Sequence, residues 1–140
     1  MRVKKLNSDK EFLLTTKKYG IDWGNSGASG IEIQFRNLIF PYWKNSIVLY
    51  QPRIPGSLLR LDFLNCNKRL CVEINGEQHG KFNKHFHHNS RMNYLASIKR
   101  DVIKQQWLEK NNIALLELEK KDLDLFSSEY IKEKFGIDIV

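Results

Sequence analysis

This 140-residue chain predicts an α/β fold with one mixed β-sheet between helices, on three observations. Residues 60–79 read as two β-type runs around a short polar turn. Segments with apolar residues at helical spacing lie on either side of them, over 29–40 and 91–110. A further apolar strand follows the second helix. Strands and helices in that order pack most economically as a sheet covered by helices.

Residues 1–18 mix basic and apolar side chains and predict a short helix over Asp9–Lys17. Residues 19–30 hold Gly20, Gly24, Gly27 and Gly30 with Asn25, Ser26 and Ser29, which is loop chemistry, either a plain surface connection or a loop touching a ligand. Ser29 is the expected N-cap of a helix carrying Ile31, Phe35 and Leu38 on one stripe, and Pro41 is expected to end it. Glu32 falls in the first turn, where the helix dipole favours a carboxylate with or without another task. Ile47–Tyr50 predicts a strand ended by Pro52 and the Pro55-Gly56 turn.

The hairpin follows. With its turn at Asn67-Lys68, cross-strand partners have numbers summing to 135. Leu61 then faces Ile74 and Phe63 faces Val72 on one side, while Asp62 faces Glu73 on the other. Two carboxylates directly opposite repel. Water, a neighbouring Arg or Lys, or a divalent cation on oxygen ligands would compensate. The plainest alternative is a solvated pair beside Arg60 and Arg69.

Asn75–Gly80 reads as a turn, and Lys81–His88 as a basic, histidine-rich stretch. Ser90 can cap a long helix over Arg91–Lys110, with Leu95, Ile98, Val102 and Leu108 expected on its apolar face. Asp101 lies on that same face, so it needs a partner; Arg100 and Lys104 are the local choices. Ile113–Glu119 reads as a strand, and Ser127–Phe135 as a last amphipathic helix with Gly136 as its C-cap.

One domain is expected over 1–140: an N-terminal arm with the Gly-rich loop (1–28), a core (29–119) and a C-terminal helical segment (120–140). A net charge of +7 favours a polyanionic partner, nucleic acid ahead of a membrane surface. Cys66 and Cys71 form no C-x-x-C pair or zinc spacing and are expected to be reduced thiols. No signal peptide and no membrane-length apolar run are read, so no membrane partner and a cytoplasmic location are expected.

Glu32, Asp62, Glu73, His79 and Asp101 together suit metal-assisted phosphodiester cleavage. Mg²⁺ on carboxylates polarises a phosphate, a near-neutral histidine moves a proton, and basic residues attract the backbone. Lys81, Lys84, His85 and Arg91 are read as a DNA-facing loop, with a solvated basic loop as the alternative. His85, His87 and His88 match no standard zinc spacing. Phe82 and Phe86 either wedge into a duplex or anchor the loop.

The run Val72-Glu73-Ile74-Asn75-Gly76-Glu77-Gln78-His79, preceded by Arg60-Leu61-Asp62-Phe63, resembles the PD-(D/E)xK restriction-endonuclease-like superfamily. It is closest to the histidine-bearing EDxHD branch, which includes very-short-patch repair nucleases and phage homing endonucleases, and to small nuclease-like proteins with a V-E-[IV]-[DN]-G-x-Q-H strand. The resemblance covers roughly residues 29–119. It implies an α-β-β-β-α-β core with an extra C-terminal helix, and a DNA endonuclease using Mg²⁺, for which Mn²⁺ can substitute. It also implies a monomer or homodimer in a bacterial or phage-infected cell. Glu32 would be the acid of the first helix, Asp62 the main metal ligand and Glu73 its complement. His79 would act on water or the leaving group, and Asp101 would hold His79 or an ordered water. Asn75 stands where the superfamily pattern places a lysine. A catalytically inactive nuclease-fold DNA-binding or accessory protein, or a junction-resolving enzyme, is therefore the alternative reading.

Overall fold

The computed structural model of the chain describes residues 1–24, 29–75 and 91–140. Its core is α2 (Gly30–Trp43), β3 (Val48–Tyr50), β4 (Phe63–Asn65), β5 (Leu70–Ile74), α3 (Arg91–Lys110) and β6 (Ala114–Leu118). Before it come β1 (Arg2–Lys4), β2 (Glu11–Leu13) and α1 (Thr16–Tyr19); after it come α4 (Lys120–Asp124) and α5 (Ser128–Phe135). The sheet runs β3-β4-β5-β6, antiparallel except for the parallel β5–β6 pair that α3 connects. A mixed four-stranded sheet flanked by helices is thus the architecture.

Alternation sorts each strand onto two apolar layers. Val48, Phe63, Leu70, Val72, Leu116 and Leu118 pack with Phe35, Ile39 and Trp43 of α2 and with Leu123 and Ile131. Leu49, Leu64 and Cys71 pack on the opposite face with Trp107 and Leu108 of α3 and with Val3 and Leu14. Each large side chain so buried contributes roughly 1.5–3 kcal/mol, which makes the sheet the rigid platform of the molecule.

The hairpin register is as expected: Phe63 pairs Val72, Leu64 pairs Cys71 and Asn65 pairs Leu70. It stops at Asp62. Leu61 lies in the α3-side layer rather than beside Phe63, because the chain bends there and the Leu61 N–H donates to Pro52 O at 3.0 Å.

Three other expectations are corrected. Asp9–Lys17 is not a helix: Glu11–Leu13 pairs with Arg2–Lys4 as a two-stranded sheet, and only Thr16–Tyr19 is helical, capped by the Thr15 hydroxyl. This N-terminal unit is docked on α3, since Trp107 Nε1 donates to Lys4 O at 2.8 Å and the Lys4 N–H to Asn111 Oδ1 at 2.7 Å. Pro41 does not end its helix, which runs on to Trp43: in the last turn a proline forfeits one backbone bond, and fully buried Trp43 offsets it. The apolar face of α3 is misplaced as well. Leu95, Ile98 and Val102 are exposed, and the half-buried stripe is Tyr94, Ser97, Asp101 and Lys104, which gives way to buried Trp107 and Leu108. The α4 turn is an addition, held by a capping box between Glu119 and Asp122. The last helix is as read, with the Ser127 hydroxyl accepting from Tyr130 N–H and Gly136 closing it at φ 70°. Among the described residues no helix is long and apolar enough to cross a membrane.

Candidate active site

At the point where β4 and β5 part, two carboxylates take over the sheet's hydrogen bonds. The Asp62 N–H donates to Glu73 Oε2 at 2.7 Å, and the Ile74 N–H donates to Asp62 Oδ2 at 2.8 Å. Each acid therefore satisfies a backbone donor beside the other, which locks both side chains without a regular ladder. Asp62 itself is fixed from the other side by the Gln51 N–H, which donates to its carbonyl at 2.9 Å.

The compensating charge comes from α3. Lys104 Nζ lies 2.8 Å from Glu73 Oε1, with both side chains largely buried. Arg60 and Arg69 are engaged elsewhere, on Gln51 O and on the carbonyls of Asn111 and Asn112. Glu73 is only 8% exposed. Its burial and the neighbouring Asp62 charge together outweigh Lys104 and push its carboxyl up to about 7. For Lys104, burial lowers the pKa, but Glu73, Asp62 and Asp101 prevail and raise it. Lys104 is thus a firm cation, and Glu73 is balanced between forms at neutral pH.

Asp101 lies one turn before Lys104 and lines the same small cleft as Glu73, Asn75, Gln105 and Glu117. Glu117 was not anticipated. The parallel register places it beside Glu73 on the α3 side, where Asn75 Nδ2 donates to its Oε2 at 3.1 Å and Gln105 Nε2 to its Oε1 at 3.4 Å. Asn75, in the expected lysine position, thus serves to hold Glu117.

Glu32 stands at the same end of the sheet but on its other face. It shares a side-chain hydrogen bond with Tyr50, whose ring lies 5.5 Å from Phe63 in the α2 layer. Burial first, and Glu32 second, push the Tyr50 hydroxyl up to about 12. Glu32 Oε1 is buried without a hydrogen-bond partner among the described residues. The structure accordingly joins Asp62, Glu73 and Asp101 in one place and sets Glu32 behind them. Arg91 opens α3 and is exposed. His79, Lys81, Lys84 and His85 lie outside the described residues, as do His87 and His88.

The donor set is all oxygen, which suits a hard divalent cation; Mg²⁺ commonly takes only one or two carboxylates, with water and substrate phosphate completing its shell. Among the described residues no three His, Cys, Asp or Glu side chains form a ready metal cage. A thiol nucleophile is disfavoured, because burial, with Glu73 and Asp62 adding, pushes Cys71 well above the usual range.

No family model matches the chain, and no solved structure matches it. It is 32% identical over 88 residues to uncharacterized protein 033L of Invertebrate iridescent virus 3, covering 63% of this chain and 43% of that protein. The match therefore spans less than half the length of that viral relative.

Proposed function

We propose that the chain is a metal-dependent DNA endonuclease with a restriction-endonuclease-like core. The observation that carries this reading is the Asp62–Glu73–Lys104 constellation at the splayed hairpin, with Glu73 buried and its two partners half-buried, in a chain of net charge +7. Asp62 and Glu73 would hold Mg²⁺, which supplies charge stabilisation at the phosphate and activates water when bound. Lys104 takes the role left open by Asn75: its ammonium opposes the burial and the Asp62 charge that raise the Glu73 carboxyl, and stabilises charge developing on a phosphate oxygen. Asp101 and Glu117 line the cleft beside that ammonium. His79 remains the proposed proton carrier, and Lys81, Lys84, His85 and Arg91 the proposed DNA contacts. The DNA substrate, the Mg²⁺ and a monomeric or dimeric state belong to this proposal, as does a cytoplasmic location.

A catalytically inactive DNA-binding protein is the second reading, favoured by one observation: both Glu73 oxygens are already engaged, by Lys104 Nζ and the Asp62 N–H. Incubation with supercoiled, linear and branched DNA, with and without Mg²⁺, separates the readings. Mg²⁺-dependent cutting supports the endonuclease, and preference for branched DNA makes it a junction resolvase. Binding without cutting, and no Mn²⁺ uptake in a titration, supports the inactive protein.

A further inference from the structure

A second basic surface lies at the far end of the loop that leads into Asp62. The N-terminal hairpin, α1 and the 53–58 loop enclose an open groove whose lining includes Lys5, Lys18, Arg53, Phe12, Tyr19 and Leu58, and no acid. Its three cations have no acidic partner among the described residues, a state they share with other exposed cations such as Lys44 and Lys132; what sets them apart is that they line one groove. Arg53 also faces Arg60 across a β-bridge at the neck of the loop, a like-charge pairing that costs energy unless an anion joins it.

The groove carries exposed apolar faces beside these charges. Phe12 is 44% exposed and Leu58 81%, while Lys18 Nζ lies 5.3 Å above the Tyr19 ring. The surface is also rigidly mounted. The Leu6 N–H donates to Pro55 O at 2.8 Å, and Ile54 and Leu61 are buried. Gly56, at φ +89°, packs so close to the Leu6 backbone that a Cβ there would come within 3.3 Å of its nitrogen. At the neck, the Gln51 N–H donates to Asp62 O and Arg60 Nη1 to Gln51 O. The loop therefore ties the groove to a residue of the candidate active site.

We infer that this groove receives a single strand of nucleic acid, with phosphates on Lys5, Lys18 and Arg53 and an unpaired base against Phe12 and Tyr19. A basic track with interleaved aromatic faces is how unpaired strands are held, since every base has a face to stack. An acidic peptide would match the charges but leave the aromatic faces without a task. The inference rests on the endonuclease reading for its link to Asp62, yet its binding needs no metal and no cleavage.

The test is fluorescence anisotropy of a labelled oligothymidylate with the intact chain in EDTA. Joint Lys5→Glu, Lys18→Glu and Arg53→Glu is expected to weaken binding at least about tenfold and to reduce the salt slope by about 2. The neutral set Lys5→Gln, Lys18→Gln and Arg53→Gln should fall between, with unfolding midpoints showing that both sets fold. Joint Lys44→Glu, Lys121→Glu and Lys132→Glu changes net charge equally on exposed sites elsewhere and should alter binding less than about threefold. Phe12→Ala should weaken the oligothymidylate complex and spare duplex binding. Wild-type binding by the groove variants, equal weakening by the control set, or equal competition by polyglutamate with no effect of Phe12→Ala would overturn the inference. If the wild type binds but never cuts DNA, the endonuclease reading fails and the groove stands; if it cuts while the groove variants bind normally, the groove alone fails.

Discussion

Glu73 Oε1 on β5 and Lys104 Nζ on α3 meet at 2.8 Å, across 31 positions of sequence, in a pocket that holds Glu73 to 8% exposure. Burial makes each dependent on the other. A carboxylate left there with only Asp62 for company would be expensive, and so would an unpaired ammonium.

Removing the ammonium shows this most simply. In Lys104→Met the charge and the hydrogen bond of Lys104, which lower the Glu73 pKa, are lost, while burial, the Asp62 charge and the Asp62 N–H bond remain. The Glu73 carboxyl is expected to titrate above about 7. Carboxyl-carbon NMR titration checks it, and an unmoved or lowered midpoint would refute the pairing.

The same group makes stability depend on pH. Its ordinary value is 4.5 and its folded value about 7, so between those limits the folded state binds more protons than the unfolded one. The stability Glu73 contributes is therefore full below pH 4.5 and is lost as pH rises through about 7. The loss is on the order of 3 kcal/mol at most. Urea unfolding across this window, compared with Glu73→Gln, should show a slope in the wild type that the variant lacks.

Asp62→Asn removes the facing charge but keeps an oxygen able to accept from the Ile74 N–H. Glu73 should then titrate lower, and the protein should gain roughly 0.2–1 kcal/mol near neutral pH, the usual cost of like charges facing across strands. A raised unfolding midpoint in a variant without activity would mark Asp62 as kept for function rather than stability.

Asn111 carries the attachment of the N-terminal hairpin. Its Oδ1 accepts from the Lys4 N–H at 2.7 Å, and its Nδ2 donates to Trp107 O at 3.0 Å. Asn111→Ala leaves the Lys4 N–H without its acceptor and should cost about 1–3 kcal/mol in urea unfolding. A neutral substitution would show that the hairpin is held without Asn111, by Val3 and Leu14 in the core and by the bonds from Trp107 Nε1 and Lys110 Nζ to its carbonyls.

The register of β4 on β5 was legible because side chains alternate strictly and a one-residue slip would scramble Phe63, Val72 and Cys71. Asp62 and Glu73 followed from it. Lys104 did not, because apolar spacing along α3 points to Leu95, Ile98 and Val102, whereas the helix turns a polar stripe toward the carboxylates. Glu117 depends on the parallel register of β5 and β6, set by packing after a 39-residue connection that no local pattern encodes. The first hairpin was missed because strands of three residues are too short to show a period. Asn7-Ser8-Asp9 was the available turn signal.

Asp62, Glu73 and Lys104 are proposed to form one hydrolytic centre. Its most direct test is cleavage of supercoiled DNA in Mg²⁺ by wild type, Asp62→Asn and Lys104→Met, each shown to be folded and free of contaminating nuclease. Mg²⁺-dependent cutting by the wild type is expected, with a loss of at least about a hundredfold in both variants. Equal cutting by all three proteins would contradict it.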